Sequence, residues 1–107
     1  MKFKPELVEE IVAGRKNSTW RLFDDKDLKA GDELELVNKE TLEKFADAEI
    51  VNIREKKLGE IEQSDYEGHE QYLDKEKMVE SFKKYYGDRV NLDTAVKIVE
   101  FKIINFI

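Results

Sequence analysis

The sequence predicts one small domain of the α+β or barrel-like class, spanning residues 1–107. Three observations predict this class. The length of 107 residues suits a single modest core. Several stretches alternate between apolar and polar residues as strands do, and two others carry apolar residues at helical spacing. Since no repeat, low-complexity stretch or linker divides the chain, all of these elements are expected to share one core.

A short strand at residues 2–4 is predicted to lead into the first helix. Pro5 suits the first turn of a helix, where its missing N–H leaves no bond unmade. Gly14 can adopt the left-handed conformation that commonly ends a helix. Between them, one helical face carries the apolar side chains of Leu7, Val8, Ile11 and Val12.

Three strands are predicted next, at residues 17–23, 33–37 and 43–57. In the first, alternation points Trp20 and Leu22 towards the core, which leaves Thr19 and Arg21 side by side on the opposite face. The second strand follows a turn at 30–32. In the third, the apolar phase changes between residues 50 and 51, which indicates a bulge or a change of partner strand.

The last part of the chain is predicted to hold a helix and a central strand. Residues 58–64 suit a short helical turn and residues 65–72 a loop. Asp74 can cap a second helix, which Gly87 ends. Residues 94–106 are apolar on both faces, which is typical of a strand that lies inside a sheet.

Composition excludes several classes of protein. There is no cysteine, so disulfides and thiolate metal sites are excluded, and the single His69 cannot build a histidine metal site. No apolar run approaches the roughly 20 residues of a membrane span. The first residues lack the apolar core of a signal peptide. We therefore expect a cytoplasmic protein with no metal, no cofactor and no membrane contact.

Charge is distributed unevenly along the chain. The net charge is −6, yet residues 1–21 hold five basic and three acidic groups, a balance of +2 that leaves −8 for the remainder. A long duplex needs a broad basic face, which this composition does not provide. A locally positive pocket on an acidic body suits a small anionic or polar ligand better.

The positive balance centres on the segment from Gly14 to Arg21, which we call the signature segment. It places three basic residues and two hydroxyls within eight positions, Gly-Arg-Lys-Asn-Ser-Thr-Trp-Arg. No other stretch concentrates as much potential chemistry. The sequence therefore predicts a site between the first helix and the first long strand.

The signature segment resembles the Gly-x-Lys-x-x-Thr-x-Arg pattern of the ASCH domain, a branch of the PUA-like superfamily. The preceding helix, the Gly31-Asp32 turn with its strand, the Glu67-Gly68 pair before a late helix, and the closing segment 99–102 fit the same family. The resemblance thus covers nearly the whole chain. It implies a PUA-like β-barrel of about six strands with two to three short helices.

Two functions follow from this resemblance. Some small members of the family are amidohydrolases that deacetylate N4-acetylcytidine with a lysine, a threonine and a glutamate. These correspond here to Lys16, Thr19 and Glu67. Glu70 is the alternative to Glu67 as the glutamate. Other members are RNA-binding modules, so the alternative partner is single-stranded RNA or a modified nucleotide, bound without turnover. A third possibility is a binding domain for another small molecule or a protein partner.

The residues themselves are compatible with hydrolysis. A lysine can deprotonate a threonine hydroxyl if burial or a nearby cation lowers its pKa. Glu67 could act as general acid, and Arg21 could orient a carbonyl, hold Glu67 or stabilise an oxyanion. Thr19 could attack directly or position a water. Arg15, Arg21 and Tyr66 are the predicted substrate-binding residues, and Trp20 is expected in the core or at a stacking position.

Overall fold

The structure is a computed structural model that describes residues 1–24, 26–69 and 71–107. These residues form five strands, two α-helices and two 3₁₀ turns. The strands are β1 (Lys2–Phe3), β2 (Ser18–Leu22), β3 (Glu33–Asn38), β4 (Lys44–Lys57) and β5 (Ala95–Phe106). The helices are α1 (Pro5–Val12) and α2 (Lys75–Tyr86), and the 3₁₀ turns are Leu58–Glu60 and Gln63–Tyr66.

The strands form one curled sheet in the order β1-β3-β4-β5-β2. β1 runs parallel to β3, and the other neighbouring strands are antiparallel. The predicted α+β class, with a sheet that curls towards a barrel, is confirmed. The described residues provide five strands where about six were expected, and the half-barrel they form is covered by the two helices.

The predicted irregularity in the third long strand is confirmed. The pairing of β4 with β5 shifts register between Ile50 and Asn52, so Val51 is an extra residue on β4. Ile50 is buried and Val51 is exposed. The bulge lets β4 change the face on which its apolar residues lie, which is why the sequence phase changes there.

Two groups of buried residues form the core, one beneath each helix. The group beneath α2 contains Trp20, Leu58, Met78, Phe82, Val96 and Ile98. The group beneath α1 contains Phe3, Ile11, Leu36, Ala46, Ala48 and Phe101. The two helices therefore cover neighbouring parts of the sheet, and a space remains between them.

Local signals place both helices as predicted. Pro5 begins α1, and Gly14 follows its end with a φ of +80°. Asp74 caps α2 by accepting a hydrogen bond from the Lys77 amide at 2.8 Å, and Gly87 ends α2 with a φ of +85°. Neither helix has the length and apolar character that crossing a membrane requires.

Candidate functional site

A cavity of about 170 Å³ opens between the two helices, against β1 and β2. This volume far exceeds the roughly 10–15 Å³ that one water molecule needs by the same measure. Four residues of the signature segment line it, namely Lys16, Thr19, Trp20 and Arg21. The predicted site therefore coincides with a cavity large enough for a small ligand.

The backbone around Gly14 brings Lys16 into this cavity. The positive φ of Gly14 turns the chain as α1 ends, and the Lys16 amide then donates to the Glu10 carbonyl at 3.1 Å. The Lys16 side chain is only 4% exposed, and its Nζ donates to the Ser18 carbonyl at 2.7 Å. Lysine is rarely this buried in a folded protein, so its position calls for a functional explanation.

Thr19 and Arg21 both belong to β2 and lie two residues apart, on the same face of the strand. Thr19 is 6% exposed and forms part of the wall of the cavity. Arg21 is half-buried, with its guanidinium carbon 5.5 Å from the centre of the Phe3 ring. The predicted pair thus lines the cavity together with Lys16.

Arg21 combines burial with few partners. Its Nε is buried without a hydrogen-bond partner among the described residues, and no described carboxylate lies within 4.0 Å of it. Burial lowers the pKa of Arg21 below its usual value, against the smaller raising effects of Tyr86 and Asp24. An arginine nevertheless keeps its charge. The cavity therefore presents a cation with unused hydrogen-bonding capacity.

Aromatic rings form another wall. Trp20 stacks on His69 with centroids 4.1 Å apart and planes 15° apart, and on Phe82 with centroids 6.2 Å apart. Tyr72 packs at a tilt against Trp20 at 6.1 Å. Trp20 is 4% exposed, so the expected core position is confirmed, and the same ring also lines the cavity. A planar, base-sized ligand suits this wall.

The loop that carries His69 is held against the signature segment by Gly68. The Gly68 carbonyl accepts hydrogen bonds from the amides of Asn17 at 3.0 Å and Ser18 at 3.2 Å. Gly68 has a φ of +74°, and a Cβ added there would lie 1.7 Å from Asn17 Oδ1. Only glycine fits this approach without displacing Asn17.

Asp65 fixes the turn before this loop. Its buried carboxylate accepts from Lys56 Nζ at 2.8 Å, from the Glu62 amide at 2.8 Å and from Arg54. Burial alone would raise the pKa of Asp65, but these three donors outweigh it and lower the pKa to about 2. The carboxylate therefore stays ionised and ties the Gln63–Tyr66 turn to β4.

Three other residues predicted for the site lie elsewhere. Glu67 is exposed and lines a separate depression with Arg54, Ser64 and Glu100. Tyr66 packs on Trp20 at 5.3 Å, and burial raises its pKa. The guanidinium of Arg15 is exposed and pairs with Glu10 at 2.6 Å. Glu70, the alternative acid, lies outside the described residues.

Sequence reasoning missed several cavity residues. His69 was not among the predicted site residues, yet it lies half-buried on Trp20. Lys2, Lys4 and Lys39 line the mouth together with Tyr85. The sequence gives a signal for His69 alone among these residues, because it lies between Tyr66 and Tyr72. The lysines come together through strand pairing, which the sequence does not show. Among the described residues, no group of His, Cys, Asp or Glu could hold a metal ion.

Comparison with known proteins identifies the fold. No family model and no curated protein matches the sequence. Protein EF3133 of Enterococcus faecalis V583, from the DUF984 family, is a structural match with a TM-score of 0.81 and 17% identity. The match covers 94% of this chain and 68% of that one.

Two matched structures are ASCH domains. The domain from Lactobacillus crispatus has a TM-score of 0.73 at 12% identity and covers 92% of this chain and 70% of its own. The S128A mutant of ZmASCH from Zymomonas mobilis has a TM-score of 0.65 at 13% identity, over 100% and 70% of the two chains. The cavity-bearing half-barrel is thus an α+β domain of PUA-like architecture. More narrowly, its fold is that of the ASCH domain.

Proposed function

We propose that this protein is an amidohydrolase that removes the acyl group from an N-acylated cytidine, with N4-acetylcytidine as the first substrate to test. The observation that carries the proposal is the burial of Lys16 and Thr19 in the wall of one aromatic-lined cavity. A buried amine and a buried hydroxyl beside a stacking surface are the groups that hydrolysis of an amide on a planar base requires.

The reaction adds one water across the amide C–N bond and yields acetate and cytidine. Lys16, in its neutral form, takes the proton from the attacking hydroxyl, which belongs to Thr19 or to a water that Thr19 positions. The new C–O bond gives a tetrahedral intermediate that carries a negative charge on its former carbonyl oxygen. Collapse breaks the C–N bond as a general acid, Glu67 or His69, protonates the leaving amine, and the proton held by Lys16 then restores that acid. If Thr19 attacks, water then hydrolyses the threonine ester.

Glu67 retains the role of proton donor only as a proposal based on the family pattern. Glu67 is exposed and lies beside Arg54 and Glu100. The contact between Gly68 and Asn17 lies between Glu67 and the cavity. His69 stacks on Trp20 in the wall of the cavity. Among the described residues that line the cavity, it is the titratable group other than the lysines, the arginine and the tyrosines. Glu67→Gln and His69→Gln variants distinguish these two donors.

The proposal is tested by following cytidine release from N4-acetylcytidine. Lys16→Ala and Thr19→Ala should each lower kcat by about 10²- to 10⁴-fold, because each removes a group that transfers or carries the reacting proton. Thr19→Ser keeps the hydroxyl and should retain more activity than Thr19→Ala. Full turnover by Lys16→Ala, at an unchanged melting temperature, would disprove the assigned base.

RNA binding without turnover is the second candidate, favoured by the mouth of the cavity. The exposed ring of Tyr85 lies there with Lys4 Nζ at 4.5 Å and Lys39 Nζ at 5.9 Å from its centre. Aromatic surfaces beside cations are what single-stranded RNA sites use. An oligonucleotide that binds while no acylated nucleoside is hydrolysed would favour this function.

A further inference from the structure

We infer that the ligand of the cavity carries a phosphate group, so that the substrate is an N-acylated cytidine nucleotide and not the neutral nucleoside. For the acylated base, this inference rests on the proposed function. The phosphate would bind four cations at the entrance, which we call the cation mouth: Lys2, Lys4, Arg21 and Lys39.

The cation mouth is assembled from separate parts of the chain. Lys2 belongs to β1, Lys4 precedes α1 and Arg21 belongs to β2. Lys39 follows β3, and its amide donates to the Phe3 carbonyl at 2.8 Å, which continues the parallel pairing of β1 with β3. Three segments of the chain, at residues 2–4, 21 and 39, thus bring four like charges together through the fold.

These four cations lack the carboxylate partners that seven other basic residues of the described chain have. Within the part of the chain that the structure describes, none of them lies within 4.0 Å of a carboxylate oxygen. By contrast, Lys44 pairs with Asp47 at 2.7 Å and Lys56 with Asp65 at 2.8 Å. In a chain with 25 acidic and 19 basic residues, unpaired cations gathered at one entrance indicate an anionic ligand.

Three of the four side chains, those of Lys4, Arg21 and Lys39, lie against aromatic rings. The ammonium groups of Lys4 and Lys39 lie 4.5 and 5.9 Å from the centre of the same Tyr85 ring. Arg21 lies against Phe3, and its Nε has no partner among the described residues. A guanidinium is suited to bidentate contact with phosphate, and fixed donors lose less entropy on binding.

A single phosphate fits these observations better than a polynucleotide. The rings of His69, Tyr72 and Tyr85 line the same cavity as the cation mouth and provide an aromatic surface for one base. The protein as a whole carries a charge of −6, which would repel the further phosphates of a long strand. The ligand with one base and one phosphate is a mononucleotide.

The first test compares turnover of N4-acetylcytidine with that of its 5′- and 3′-monophosphates at low salt. We expect kcat/KM for one of the two nucleotides to exceed that for the nucleoside by about 10-fold or more, the order of one charge-assisted contact. Lys4→Ala and Lys39→Ala should each reduce this preference by about 3- to 10-fold. The matched control is Lys83→Ala, an exposed lysine of α2 outside this cavity, which should leave the preference unchanged.

A second measurement separates failure of this inference from failure of the proposed function. Binding of cytidine monophosphate, cytidine and a five-residue oligocytidylate is measured by calorimetry. Tighter binding of the monophosphate, lost in Lys39→Ala, supports the inference even if no acylated compound is hydrolysed. Equal binding of nucleoside and nucleotide, or no binding of either, overturns it while leaving any observed hydrolysis in place. An oligonucleotide that binds more than 10-fold tighter, with a steeper salt dependence, overturns the single-phosphate ligand in favour of RNA.

Discussion

At the scale of single residues, Asp65 shows how the site depends on a group that takes no part in the proposed chemistry. Its carboxylate is fully buried and joins Lys56 and Arg54 of β4 to the turn that leads towards Gly68 and His69. The carboxylate can remain ionised there because three donors surround it. Its loss would release the loop that carries one wall of the cavity.

We expect Asp65→Asn to lower the free energy of unfolding by about 2 kcal/mol at neutral pH, the equivalent of its pKa shift. In the wild type, the folded pKa is lowered from 3.8 to about 2. This contribution is therefore present above pH 3.8 and is lost as the pH falls towards 2. Urea unfolding between pH 2 and 7 measures it. Glu55→Gln, an exposed carboxylate of β4, is the control, and an equal loss in both variants would contradict the assignment.

At the scale of elements, the contact between Gly68 and Asn17 joins the late loop to the signature segment. It supplies two backbone hydrogen bonds and excludes any side chain at position 68. Its geometry also keeps Glu67 and His69 on different sides of the contact, since Glu67 lines one depression and His69 the other. The identity of the proton donor therefore depends on how this loop is seated.

We expect Gly68→Ala to destabilise the protein by about 2–3 kcal/mol, since it adds a steric conflict to the cost of a positive φ, which alone is about 1–2 kcal/mol. Gly31→Ala provides the matched control, because Gly31 has a φ of +95° but open space around its Cβ position. Combining Gly68→Ala with Asn17→Ala should recover the difference between the two glycine variants. Additive losses in that double variant would show that Asn17 is not the obstacle.

The helices and strands were predictable from local signals in the sequence, but the pairing of the strands was not. Pro5, Asp74 and Gly87 act on neighbouring backbone, so the helix ends were predicted correctly. The phase change at residues 50 and 51 likewise predicted the β4 bulge. Lys16 and Thr19 could be chosen together because one short segment carries both.

The cation mouth could not be predicted in this way. Lys39 meets Lys4 only because β3 pairs with β1, and His69 reaches Trp20 only because Gly68 contacts Asn17. Neither contact follows from the spacing of residues along the chain. The catalytic roles assigned to Lys16, Thr19 and Glu67 remain predictions for activity measurements to test.

At the scale of the whole molecule, the net negative charge repels the proposed anionic ligand, whereas the entrance of the cavity carries four cations. The net charge of −6 repels anions at long range, while the cation mouth attracts them at short range. This charge distribution favours a ligand that binds at the cavity with its anionic group towards the cation mouth. It also makes binding and stability respond differently to salt.

We expect salt to raise KM for the nucleotide substrate and, over the same range, to raise the melting temperature. Screening weakens the exposed cation–phosphate contacts, because the Debye length falls from about 10 Å at 0.1 M to about 3 Å at 1 M. The same screening reduces repulsion among the excess carboxylates. Steady-state kinetics and thermal unfolding at 0.05 and 0.5 M sodium chloride measure both responses. A nucleotide KM that does not respond to salt would contradict binding through the cation mouth.

The placement of β2 in the sheet has a consequence for how the protein acquires its site during synthesis. β2 carries Thr19 and Arg21, yet its strand neighbour is β5, with Ser18 opposite Glu100. The segment from β2 to β5 must therefore leave the ribosome before β2 can pair, and pairing at such a sequence separation is slow. Until then β2 presents an unpaired edge bearing Trp20, which makes the nascent chain a target for chaperones and for misassembly. The signature segment is thus translated well before β5, the strand that completes its pairing.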